Sequence, residues 1–228
     1  MKEELGNMKK LFTAIRAADL ETVKRIIENK PELVNCKAKQ PPKKDDGQSP
    51  LQVSLKTGNT AIAEYLLDMG ADVNYIEDEP CCNQWRTPVI HDAISCAVML
   101  SRWNTNDSLR GFVVHSDEEK AKAAFHLLKR MIDAGADVNA LDSYGNSGLN
   151  RFILQANQIL PSYNYREHRE SDDRIFTKEL HDDLKNILQV LKDAKADIGY
   201  AAPNMGAPIR DFYKEGSIST LLREVYRY

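Results

Sequence analysis

Apolar residues return every three or four positions along most of this chain. Leu11, Ala14 and Ile15 form one such stripe, and Val23, Ile26 and Ile27 form the next. Two longer stripes follow, Ala121, Ala124, Phe125, Leu128, Met131 and Ile132, then Leu180, Leu184, Ile187, Leu188 and Leu191. This period belongs to amphipathic helices with one buried face. Local signals bound them: Ser49-Pro50 offers a polar cap and a proline for a first turn, and Gly58 and Gly70 offer stops. Ser116 or Asp117 caps a helix expected over 117–134, and another is expected over 177–194.

The helices come with a recurring block. Gly70-Ala71-Asp72-Val73-Asn74 returns as Gly135-Ala136-Asp137-Val138-Asn139 and, altered, as Lys195-Ala196-Asp197-Ile198-Gly199. A repeat of this kind predicts a stack of units in which no unit buries a core alone. Such a stack offers a long surface suited to holding a partner.

Gly47-Gln48-Ser49-Pro50-Leu51-Gln52-Val53-Ser54, then Gly58 and Leu66-Leu67, complete a pattern that resembles an ankyrin repeat, as does Thr87-Pro88-Val89-Ile90-His91-Asp92-Ala93. The resemblance implies an all-α solenoid of about five helix-turn-helix units with hairpin fingers, over approximately 8–35, 47–74, 85–139, 142–199 and 206–228 in one domain. The charged residues Lys2, Glu3, Glu4, Lys9 and Lys10 suit an N-terminal cap, and 206–228 closes the other end. The fourth unit has Gly148 and Asn150 where the family has proline and histidine.

Asn74 and Asn139 stand 65 residues apart, nearly twice the family period of about 33. The excess falls between the two helices of the third unit, at about 101–116, and a second insertion rich in Tyr, Arg, His and Asp falls at about 160–176. Both are expected to be helical insertions. Two fingers are also long, 37–46 and 75–85.

Charge and cysteine usage narrow the function. The net charge is −3, and its one basic cluster, Lys37, Lys39, Lys43 and Lys44, runs into Asp45-Asp46, so nucleic acid is not expected as a partner. No segment approaches the roughly 18 apolar residues of a membrane span, and Met1 to Lys10 is too charged for a signal peptide. The expectation is a cytoplasmic protein. Cys36, Cys81, Cys82 and Cys96 have no disulfide-framework spacing. Cys81-Cys82, with His91 and Cys96 beyond, raises a metal or thiol-dependent activity, but neither Cys-x-x-Cys nor His-x-x-x-His occurs, and no metal or cofactor is expected. Cys96 reads as core.

His91, His115, His126, His168 and His181 are the candidate bases for catalysis. No Gly-x-Ser-x-Gly, phosphate loop or dinucleotide fingerprint accompanies them, so no catalytic residues and no small-molecule substrate are assigned. The resemblance implies a plainer role for His91, a hydrogen bond between neighbouring fingers. It also implies recognition of another protein through finger tips and the concave face of the first helices. Residue by residue, those positions are Asp45, Asp46, Gln48, Lys56 and Thr57, then Asn83, Gln84, Trp85 and Arg86. In the later units they are Ser143, Tyr144, Asn146, Leu154 and Gln155, then Lys214 and Glu215. Trp85 stands in the slot of the finger glycine. The expected function is a non-catalytic scaffold or adaptor. Irregular, insertion-bearing repeats look like bacterial members, which brings in toxin neutralisation as an alternative, although Lys56, Arg86 and Lys214 dilute the acidic face that an inhibitor of a nucleic-acid-cutting toxin should present.

Overall fold

The computed structural model describes residues 2–78 and 84–228, so the candidate residues Cys81, Cys82 and Asn83 lie outside the described residues. Helices run in pairs. The first helices are α1 (Lys2–Arg16), α3 (Pro50–Lys56), α5 (Val89–Met99) and α7 (Gly148–Ile159), and each packs on the next. Their partners are α2 (Leu20–Asn29), α4 (Thr60–Asp68), α6 (Glu118–Asp133) and α8 (Lys178–Asp193), which form a second layer in the same order. A short α9 (Ile209–Phe212) and α10 (Gly216–Tyr226) end the stack, with α10 against α8 and α7. One continuous apolar core, with Leu11, Ile62, Ile94, Leu128, Phe152 and Leu188 all fully buried, runs between the layers.

The chain starts these helices with side-chain caps. Asp117 and Thr177 accept from the backbone N–H of Lys120 and Leu180, and Ser49 with Gln52 and Ser147 with Asn150 form reciprocal capping boxes. The helices expected over 117–134 and 177–194 are therefore present, with those end residues as caps.

Between units the repeated block acts as a clamp. Asn74 Nδ2 donates to Gly135 O at 3.0 Å while its Oδ1 accepts from Asp137 N–H at 2.9 Å. Asn35 makes the same pair with Gly70 O (3.1 Å) and Asp72 N–H (2.8 Å), and Asn139 makes it with Lys195 O (3.0 Å) and Asp197 N–H (3.0 Å). The aspartates Asp72, Asp137 and Asp197 in turn accept from the backbone N–H two residues on. Left-handed backbone opens each block, at Gly70 (φ 85°), Gly135 (φ 92°) and Lys195 (φ 67°), which closes the preceding helix. Gly199 replaces the fourth asparagine and carries no amide, so the ladder ends there.

The insertions correct one expectation. They are β-hairpins, not helices: β1 (Asn104–Asp107) pairs antiparallel with β2 (Gly111–Val114), and β3 (Tyr163–Asn164) pairs with β4 (Arg169–Glu170). Short runs around Asp107 and Asn164 turn sharply, each side chain accepting from backbone N–H groups two and three residues on, which favours a hairpin over a helix. The two insertions also join each other. The buried Asn104 exchanges two hydrogen bonds with Ile175 (2.7 and 2.8 Å), and Arg102 grips Asp183 through Nε (2.9 Å) and Nη2 (2.7 Å). Glu170 accepts from both Ser217 N–H and its hydroxyl at 2.6 Å, capping the start of α10.

Gly148, where the family has proline, has a steric cause. Its N–H donates to Val138 O at 3.0 Å, and a Cβ there would stand 2.5 Å from that same oxygen and 2.9 Å from Ile94 Cδ1. Gly148→Ala should lower stability in urea denaturation by about 1–3 kcal/mol, and Gly148→Pro should cost at least as much because it also removes the donor. A proline variant more stable than the parent would contradict this account of the fourth unit.

Candidate partner-binding groove

Successive fingers are tied by backbone and side-chain bonds that decide which expected residues face outward. Tyr75 OH donates to Gly47 O (2.5 Å) and Tyr200 OH to Gly145 O (2.7 Å), each reaching back to the preceding finger. At the intervening junction Ala140 offers no hydroxyl, and His91 Nε2 meets Ala140 O at 2.9 Å. The inter-finger role of His91 is thus present.

Three of the expected contact residues are buried instead. Asp45 pairs with Arg16 of α1, Gln48 Nε2 donates to Glu77 Oε1 at 3.1 Å, and Asn146 Nδ2 donates to both Asp142 carboxylate oxygens at 3.2 and 3.0 Å. Each is at most 7% exposed, because its side chain is spent on a charged partner within the fold. These residues build the fingers. Glu215 is engaged by the second insertion, through Tyr163 OH and through His168 Nδ1 at 3.0 Å. Asp46 accepts from Gln40 N–H at 3.2 Å. Lys214 is exposed but lies in the last unit, away from the groove described below.

Lys56, Thr57, Trp85 and Gln155 come together. They border a groove of about 500 Å³ between the C-terminal end of α3, the outer side of α5 and the start of α7. Trp85 forms one wall, and Tyr144 packs beside it, with ring centroids 4.4 Å apart and both residues nearly half exposed. The Arg151 guanidinium lies 5.7 Å from the Trp85 ring and is held by Asp142 at 3.1 Å. Ser143 fixes the tryptophan loop from the next finger, its N–H donating to Trp85 O at 2.9 Å and its hydroxyl to Gln84 O at 2.5 Å. Trp85 therefore packs on the neighbouring finger and remains accessible. Left-handed backbone passes from the glycine slot to Arg86 (φ 43°), which lets the bulky ring stand there. Leu154 is exposed on α7 nearby.

The floor was not foreseen. Asp92, Ser95, Cys96 and Met99 of α5 and Arg151 of α7 line it. Under the second finger Gln52 Nε2 donates to Thr87 O (2.9 Å) and Asp92 Oδ2 (3.0 Å), and it reaches Glu77 Oε1 at 3.3 Å. Lys56 Nζ lies 3.6 Å from Glu77 and 3.8 Å from Asp92. Gln52 occupies the slot equivalent to the signature histidine, and the acidic residue that follows His91 was the available signal. Burial, opposed in part by the Lys56 ammonium, lifts the Asp92 carboxyl to about 6. Burial and the nearby Arg151 hold His91 down at about 4.

Chemically the groove offers an ammonium, a guanidinium, a carboxylate and an aromatic wall. Ser95 Oγ is committed to His91 O at 2.8 Å, and burial raises the Cys96 thiol to about 12, so neither is an activated nucleophile. His115 stacks on Trp103 and bonds Thr105 at 2.8 Å, and His181 bonds Glu224 at 3.0 Å. Among the described residues no group of three or more His, Cys, Asp or Glu is placed to hold a metal ion.

His91 and Asp92 act on stability in opposite senses. An unfolded histidine takes up a proton as pH falls below about 6.5 while buried His91 stays neutral, so this residue destabilises the fold toward acid. Asp92 binds its proton earlier when folded than when unfolded, so it stabilises the fold as pH falls through about 6 toward 4. Asp92→Asn should unmask the histidine. Unfolding free energies from urea titrations between pH 7 and pH 4.5 should fall more steeply in the variant, by on the order of 2 kcal/mol over the range; parallel profiles would refute the assignment.

Residues 9–100 match the family model for ankyrin repeats, in three copies. No curated protein matches the chain. The matched stretch ends at Leu100, one residue before the first hairpin insertion begins to stretch the period. Ankyrin repeats are generally protein–protein interaction modules. The period kept by the sequence and the stack it builds agree with that match: the chain carries ankyrin repeats over residues 9–100.

Proposed function

We propose that this protein is a non-catalytic binding module, a scaffold or adaptor working in the cytoplasm, which holds a protein partner across the finger tips and the first-helix face. One observation carries the reading. The exposed residues Lys56, Thr57, Trp85, Tyr144 and Leu154 and the partly exposed Gln155 gather at or beside one groove of about 500 Å³ on the first-helix side. Aromatic and cationic side chains around a partly desolvated hollow are the composition from which binding hot spots are made. The asparagine ladder and finger bonds hold this surface rigid before any partner arrives, which limits the ordering cost of association.

The test begins with affinity capture from native lysate and identification of the retained protein by mass spectrometry. Calorimetry on that complex should then show Lys56→Ala with Tyr144→Ala weakening it by about 2 kcal/mol or more, roughly thirtyfold. Lys122→Ala on the exposed side of α6, whose partner is Glu118, should leave affinity within about twofold. Melting temperatures near the parent value would show that the fold survives. If affinity is lost instead on replacing Tyr165 in the second insertion, the first-helix face is not the binding surface.

A further inference from the structure

The first insertion leaves an open sheet edge. On its inner side β1 is sealed: Asn106 N–H donates to Asp173 O at 2.7 Å, Asn106 Nδ2 to Asp172 O at 3.2 Å, and Asn104 is locked to Ile175. The outer strand is β2. Thr105 pairs with Val113 and Asp107 with Gly111, and beyond the strand His115 N–H donates to Trp103 O at 2.9 Å. Hydrogen-bonded and non-bonded pairs alternate along an antiparallel ribbon. Asn106, whose N–H points to Asp173, sits opposite Phe112, so the N–H and C=O of Phe112 and Val114 turn away from β1. No bond to these outward groups is made among the described residues.

The edge is also apolar. Every residue of β2 is exposed, with Phe112 at 48%, Val113 at 38% and Val114 at 47%, and Leu109 at the turn stands 95% exposed. Exposed edges are usually blunted by lysine, proline or a bulge, and Gly111-Phe112-Val113-Val114 contains neither residue and pairs without a bulge.

We infer that β2 is the surface through which two copies of this chain associate, edge to edge and antiparallel, about a two-fold axis through Val113. In that register Phe112 of each copy faces Val114 of the other, and each pair exchanges two N–H···O=C bonds. Self-pairing is favoured by what flanks the strand. Arg110, exposed and without an ion pair among the described residues, falls across from Ser116 of the second copy. It thereby comes beside the start of that copy's α6, where Asp117 pairs with Lys120 and Glu118 with Lys122 and Glu119 leaves the group net acidic. Opposite charges meet at both ends of the paired strands, an arrangement that antiparallel self-association produces twice. A four-residue edge with one exposed leucine buries less than the standard ~800 Å² per partner, so the dimer is weak and forms above roughly 100 micromolar.

Sedimentation velocity of the full chain from about 10 micromolar to 1 millimolar should show mass rising from 25.8 kDa toward twice that value. Amide exchange of Phe112 and Val114 should slow over the same range. Val113→Lys places two ammonium groups against each other across the axis and should abolish the rise, as should Val113→Asp. An equimolar mixture of the two variants should restore it. A parent chain that stays monomeric with both amides unprotected overturns the proposal and leaves the edge to another protein. Dimerisation of Val113→Lys equal to the parent overturns it too, because the interface would lie elsewhere.

Discussion

A single primary amide, placed at the end of each of the first three units, sets the geometry on which the rest depends. Asn35, Asn74 and Asn139 each donate to the carbonyl that ends one helix pair and accept from the second N–H beyond it. A side chain with one donor and one acceptor in a fixed plane can satisfy both backbone groups only at one separation and orientation. Carboxylate or aliphatic replacements at that position would lose one bond or both. The clamp therefore fixes the step from unit to unit, and the apolar core between helix layers fills the spacing it dictates.

That constraint explains where the chain tolerates irregularity. Both insertions leave from the end of a first helix and return at the start of its partner, so neither interrupts the passage from one block to the next. Their polar residues then become joints: Asn104 with Ile175, Arg102 with Asp183, and Glu170 with Ser217. The fingers, on the other side, are spaced by the clamps and locked by Tyr75, Tyr200 and His91. A groove flanked by Lys56, Trp85, Asp92 and Arg151 is the product of three units held at constant pitch.

The legible parts of the sequence were those governed by local rules. Apolar period, polar caps and glycine stops place α6 and α8 to within a residue, because each rule acts over one or two turns. Gly148 is recognisable as a departure, but its cause is a contact with Val138, ten residues earlier, and with Ile94 on another helix. The hairpins were not legible: β2 is four residues long, and β1 mixes polar residues whose partners lie about 70 positions away. At the fingers, Asp45, Gln48 and Asn146 have the polarity of contact residues, and only the structure separates a side chain paired inside the fold from one that is open to a partner. Lys56, Trp85 and Tyr144 were legible as exposed, while the Asp92 and Glu77 carboxylates beneath them were not.

The asparagine clamp can be tested at one atom. Amide hydrogen exchange in an Asn74→Ala variant should show Asp137 N–H losing its protection, with global stability in urea lower by about 1–2 kcal/mol. The slope of the urea transition should also fall as the units separate into less cooperative parts. If Asp137 exchanges as slowly as in the parent chain and the urea transition keeps both its midpoint and its slope, the clamps do not couple the units, and core packing alone sets the stack.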